Sequence, residues 1–134
     1  MSDPEAKRSD GFRRAVEAGE FGDVDALFSP EVVFRSPAVF APYEGIAAVR
    51  AVLTAVGHVF EDFRYLEQLE SEQGDFATLL FEARVGDREV QGVDLLWFDA
   101  EGRIAQMTVM VRPLSGLNAL VEAMARALGA GGAA

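Results

Sequence analysis

A single acidic residue, Asp94, interrupts an otherwise apolar strand pattern, and no other feature so restricts what this chain can become. The run Val90-Gln-Gly-Val-Asp-Leu-Leu-Trp-Phe98 passes through Asp99-Ala-Glu-Gly102 into Arg103-Ile-Ala-Gln-Met-Thr-Val-Met-Val111. Two β-rich runs around a short Asp- and Gly-containing segment predict an antiparallel hairpin, with Gly102 free to adopt a positive φ. Pairing Phe98 with Arg103 across a four-residue loop sets Asp94 opposite Met107. Val90, Gly92, Asp94, Leu96 and Phe98 then share a face with Ala105, Met107, Val109 and Val111. Gln91, Val93, Leu95 and Trp97 share the other with Ile104, Gln106, Thr108 and Met110. The carboxylate falls on the more apolar face. An ionised group is costly there, so it must be paired, protonated or set against a cavity.

A length of 134 residues predicts one domain with a real core. The net charge of −10 argues against general affinity for nucleic acid or anionic membranes, both of which require clustered Lys and Arg. The N-terminus is polar, and no run approaches the roughly 18 apolar residues of a membrane helix. Zero cysteines exclude disulfides, zinc–thiolate sites, iron–sulfur clusters and a cysteine nucleophile. A cytoplasmic protein is expected.

Residues 1–10 read as a disordered leader, residues 11–128 as a single domain and residues 129–134 as a flexible tail. Phe12, Ala15, Val16 and Gly19 form one face of a short helix. Asp23 is placed to cap a second, carrying Val24, Leu27 and Phe28 and ended by Ser29-Pro30. Glu31–Ser36 reads as a strand, and Ala38–Glu44 as a loop holding Phe40, Pro42 and Tyr43. After Gly45 a longer helix buries Ile46, Val49, Val52, Leu53, Val56 and Phe60. Strands are expected over Phe63–Glu72, Phe76–Val85 and Glu89–Phe98, the second with a clear period of two. Pro113 opens a final helix with Leu117, Leu120, Val121, Met124 and Leu128 on one side. Helices first, then a run of antiparallel strands, is an α+β layout with helices on one face of a curved sheet.

This order resembles the nuclear transport factor two-like superfamily, in particular its SnoaL-like and ketosteroid-isomerase-like branch. The resemblance spans roughly Gly11 to Arg112. It is carried by the segments Phe12–Phe28, Phe34-Arg-Ser-Pro37 and, most specifically, Val93-Asp-Leu-Leu-Trp-Phe-Asp-Ala-Glu-Gly-Arg-Ile104. It implies a cone: a curved antiparallel sheet wrapped around N-terminal helices, with a C-terminal helix, an apolar pocket at the open end and homodimers formed through the outer sheet face. Steroid isomerases of this branch use a Tyr on the first helix, an Asp base after the first strand and a protonated Asp on a late strand. The last matches Asp94. The Tyr position matches Phe12, which has no hydroxyl, and the base position matches Ser36, which cannot abstract a carbon-bound proton at neutral pH. Steroid isomerase activity is therefore not expected.

The resemblance implies a pocket lined by Phe12, Val16, Phe34, Ser36, Phe40, Leu79, Phe81, Met107, Val109 and Val111, with Tyr43 in a loop near its mouth, either as a lid residue or as an exposed loop aromatic. Asp94 is its main polar group. It is either a general acid or donor to a ligand oxygen, or a structural carboxylate held by an Arg or Tyr. Tyr65 shares a strand face with Phe63 and Leu69, so its hydroxyl either enters the cavity or is satisfied within the core. His58, the only histidine, lies almost opposite the apolar stripe of its helix and reads as solvated. No carboxylate cluster has metal-ligand spacing, so neither a metal nor a cofactor is expected. Arg112 is either solvated, bound to an anionic ligand or paired with Asp94. Trp97, Val93 and Leu95 on the outer face suit a dimer interface unless the last helix covers them.

Two functions fit. One is an enzyme of isomerase, cyclase or dehydratase type, moving a proton on a small apolar carbonyl or hydroxyl compound with Asp94 as acid or base and Tyr65 or Tyr43 assisting. The other is a non-catalytic small-molecule-binding or dimerisation module. The missing base and hydroxyl favour the second, and Asp94 favours the first.

Overall fold

The structure, a computed structural model, describes residues 7–19 and 24–130. Its elements run α1 (Asp10–Ala18), α2 (Val24–Leu27), β1 (Phe28–Arg35), β2 (Tyr43–Glu44), α3 (Ile46–Val59), β3 (Glu61–Glu70), β4 (Phe76–Val85), β5 (Arg88–Phe98), β6 (Ile104–Arg112) and α4 (Leu114–Ala130). The strands form one curved, open six-stranded sheet in the order β2-β1-β6-β5-β4-β3. This is the expected α+β architecture with its C-terminal helix. The sheet is mixed rather than wholly antiparallel, because β1 lies parallel to β6.

Local chemistry explains most boundaries. Gly19 takes a left-handed conformation at φ 69°, and its N–H closes α1 onto the carbonyls of Ala15 and Val16. The second helix is a single turn, and the strand begins at Phe28, earlier than the expected Glu31. Pro30 is tolerated within β1 because the ladder to β6 is irregular between Phe28 and Val33. Asp23, the expected cap, lies outside the described residues. Of the expected leader, residues 7–10 are instead anchored: Ser9 is buried, and its N–H and Oγ both donate to Glu70, which also accepts the Arg8 N–H. Residues 129 and 130, expected in the tail, continue α4.

Two bulges alter the expected faces. In the β5–β6 hairpin Trp97 pairs with Gln106 but Phe98 with Ile104, leaving Ala105 as the extra residue. Asp99 fixes this turn by accepting the N–H groups of Glu101 and Arg103, with Gly102 at φ +82°. A loop one residue longer than expected, which pairs Phe98 with Ile104 instead of Arg103, and the bulge together move Asp94 from the expected partner Met107 to Val109, and the bulge turns Ile104 from the outer face into the core. In β3 the register slips between Tyr65 and Glu67. Leu69, expected beside Tyr65, is consequently turned out to solvent, and Gln68 turns in to meet Ser9, Asp10 and Arg13.

The inner sheet face carries the core. One cluster joins Phe12 of α1, Phe28, Val32 and Phe34 of β1 and Val49, Val52 and Leu53 of α3 to Leu79, Phe81, Leu96 and Met107. A second joins Ala83, Val85 and Val90 to Leu120 of α4. Helix α4 packs on α3 and on the inner face of β4–β6, so it does not cover Trp97, Val93 and Leu95.

Candidate functional site

Asp94 stands on β5 between Leu79 of β4 and Val109 of β6, within strands whose inward positions are otherwise apolar. It is 5% exposed. Tyr65, one strand beyond β4, reaches across, and its hydroxyl donates to Asp94 Oδ2 at 2.7 Å. Burial pushes the Asp94 carboxyl up to about 7, against the opposing pull of the Tyr65 hydrogen bond. The Tyr65 phenol is itself driven well above its ordinary value, first by burial and then by the neighbouring carboxylate. Tyr65 therefore stays a proton donor in its hydrogen bond while Asp94 is poised to gain or lose a proton near neutrality.

No buried side-chain polar atom among the described residues lacks a partner. Oδ2 of Asp94 takes the Tyr65 hydrogen bond, and the residue borders a cavity. The cavity measures about 90 Å³. Asp94, Tyr65, Phe12, Val16, Phe34, Ser36, Tyr43, Phe81, Met107 and Val109 all line it, so ten of the expected residues converge on one hollow.

Three expected lining residues do not reach it. Phe40 sits at the tip of the β1–β2 loop and is fully solvent-exposed. Leu79 is packed completely into the core opposite Asp94. Val111 is taken up by packing against both core clusters, next to α4. The sequence reading missed the helical walls: Val52, Leu53, Val56 and Phe60 from α3 and its end, and Leu120, Met124 and Leu128 from α4, with Pro37, Ala38 and Phe63 beside them. Their apolar stripes were visible. What periodicity alone cannot say is whether a stripe meets solid core or open space.

Ser36 Oγ accepts the N–H groups of Ala38 and Val39, fixing the turn at the start of the β1–β2 loop. Tyr43 leans on Phe34 at a centroid distance of 6.2 Å. Four rings, Phe60, Phe63, Tyr65 and Phe81, form an aromatic wall, with Phe63 stacked on Phe81 at 4.8 Å and edge-on to Tyr65 at 4.9 Å. The Arg13 guanidinium lies 5.6 Å from the Tyr65 ring centroid. Arg112 is exposed and pairs with Gln91 rather than Asp94, and His58 is exposed. Among the described residues no group of His, Cys, Asp or Glu is arranged to hold a metal, and no helix is long and apolar enough to cross a membrane.

A SnoaL-like domain model matches residues 10–107. Among solved structures, a steroid delta-isomerase from Pseudomonas aeruginosa is 41% identical, with a TM-score of 0.88, over 96% of this chain and 97% of that one. A protein with a cystatin-like fold from Silicibacter pomeroyi DSS-3 is 32% identical, with a TM-score of 0.81, over 86% of this chain and 80% of the other. A candidate SnoaL-like polyketide cyclase from Shewanella denitrificans OS-217 shares the fold at 13% identity and a TM-score of 0.64, over 86% and 94%. No curated protein matches the chain.

Proposed function

This chain belongs to the SnoaL-like domain family, and we propose that it binds a compact apolar carbonyl or hydroxyl compound in its hollow and moves a proton on it through Asp94. One observation carries this: among the described residues that line the apolar cavity Asp94 is the one carboxyl, held by the Tyr65 hydroxyl, and burial pushes it up to about 7. Protonated Asp94 donates to a ligand oxygen, polarising a carbonyl or assisting a departing hydroxyl. Ionised Asp94 accepts a proton from a hydroxyl or from carbon next to a carbonyl. Both forms are populated near pH 7, the condition under which a general acid–base group works best. Tyr65 orients the carboxyl and steadies its ionised form, and Tyr43 supplies a second hydroxyl on the cavity wall. The apolar walls suit a ligand with little charge, bound by burial and oriented by one polar contact.

The Pseudomonas aeruginosa relative is named a steroid delta-isomerase. We do not extend that reaction to this chain, because Ser36 is no base and is engaged in its turn, and Phe12 offers no hydroxyl. Isomerase, cyclase or dehydratase chemistry that needs one proton-transfer group remains the reading. The same two residues favour the second reading, a non-catalytic binding module. In both, the protein acts in the cytoplasm as a homodimer paired through the outer face around Trp97, Leu95 and Met110, where Met110 is 55% exposed. Neither nucleic acid nor a membrane is a partner.

Hydrogen–deuterium exchange at the α-carbon of 2-tetralone, a flat apolar ketone, separates the two readings. Proton transfer by Asp94 accelerates exchange in the wild type and not in Asp94→Asn. A binding module protects or ignores the ketone without exchanging it.

A further inference from the structure

Gly92 precedes Asp94 by two residues on the same inward face, and its register partner on β4 is Phe81. A Cβ at position 92 would stand 2.3 Å from Phe81 Cζ and 2.7 Å from both Phe81 Cε2 and the Met110 carbonyl oxygen. The Phe81 ring therefore lies over bare β5 backbone, in space any other residue would occupy. Its neighbours follow from that tilt. Phe63 stacks on Phe81 at an interplanar angle of 25°, and Phe60 meets it at 5.6 Å. Tyr65 stands edge-on to both Phe63 and Phe81. All four rings line the hollow.

We propose that Gly92 and Phe81 form the specificity-determining pair of this pocket: the glycine seats the ring against the sheet and thereby fixes the width of the hollow beside Asp94. Filling the seat drives Phe81 off the sheet toward Phe63 and into the space a ligand would take. Shortening Phe81 widens that space by part of a ring. This rests on the proposed binding role of the hollow only for its biological meaning. The seating of Phe81 over Gly92 does not depend on Asp94.

The test uses benzene and naphthalene, hydrocarbons that need no polar partner, titrated by calorimetry into four proteins: wild type, Phe81→Leu, Gly92→Ala and the double variant. Dry apolar cavities take up such molecules. The wild type binds benzene more tightly than naphthalene. Phe81→Leu moves that preference toward naphthalene by about tenfold, the scale of a small change in pocket volume. Gly92→Ala loses benzene binding, and the double variant regains it. The Met110 carbonyl also crowds position 92, so where Gly92→Ala fails to fold the shift in Phe81→Leu decides alone. An unchanged preference in Phe81→Leu, unaltered benzene binding in folded Gly92→Ala, or no uptake by any of the four proteins overturns the proposal. Loss of ketone exchange in Asp94→Asn bears on the proton-transfer reading and leaves this one untouched.

Discussion

The Tyr65 hydroxyl reaches over β4 to donate to Asp94 Oδ2 at 2.7 Å, joining side chains from two strands that are not neighbours in the sheet. The bond holds, at the wall of the hollow, a group that burial would otherwise push further toward its neutral form. Binding and proton transfer are both derived from this pair.

Asp94→Asn should stabilise the protein at alkaline pH. Native Asp94 keeps its proton up to about pH 7, whereas an unperturbed Asp releases it near 3.8. Between those values the native state binds more protons than the unfolded state. Stability from this group is therefore fully present below the lower value, falls as pH rises through the window and is flat above it. The cost over the window is on the order of 4 kcal/mol as an upper bound. Asn carries no charge and retains a carbonyl for the Tyr65 donor. Urea unfolding should find Asp94→Asn more stable than wild type at pH 8, with the gap closing toward pH 4. A variant less stable than wild type at pH 8 contradicts the assignment.

Tyr65→Phe should be destabilising, and more so at high pH. The ring remains packed against Phe63 and Phe81, so the loss is that of the hydroxyl. A hydrogen bond to a neutral carboxyl contributes about 1 kcal/mol and one to a carboxylate about 1.5–3 kcal/mol. Denaturation at pH 5 and pH 8.5 should show the larger effect at pH 8.5. Equal losses at both would mean that Asp94 does not change charge in between.

The N-terminal segment should loosen when Glu70 is altered. Glu70 accepts from the backbone of Arg8 and Ser9 and from the Ser9 hydroxyl, and Ser9 is buried. Glu70→Ala should cost about 1–3 kcal/mol by leaving those donors unpaired. Amide exchange at residues 8–12 should speed up while β4 and β5 stay protected.

Association should depend on the outer sheet face. Leu69 and Met110 are exposed on that face, which also carries the Phe76–Trp97 pair at 5.0 Å. Met110→Glu introduces a charge at an already exposed site, so folding should be unaffected, while light scattering should show a dimer converted to monomer. A wild-type monomer at all concentrations, or a dimer indifferent to the change, would remove the face from the account.

Much of the architecture was legible because period-two alternation in β4 and β5 and the helical stripe of α3 are strong local signals. The importance of Asp94 was legible for the same reason, since one charge stands out in an apolar face. The two bulges were not. Ala105 and Leu66 carry no signature of an extra residue, yet each changes which side chains point inward: Ile104 turned in, Leu69 turned out and Gln68 took its place. The parallel pairing of β1 with β6 is a contact distant in sequence, beyond what local pattern encodes. The hollow needed coordinates because Leu79 and Phe81, alternate residues of one strand with one apolar character, differ in fate. One fills the core and the other walls a cavity.

Following the Asp94 carboxyl carbon by NMR as pH is varied measures the central claim without needing a substrate. A midpoint near 7, moving upward in Tyr65→Phe, is the expected result. A midpoint near 4 would mark an ordinary hydrated carboxylate and contradict the account.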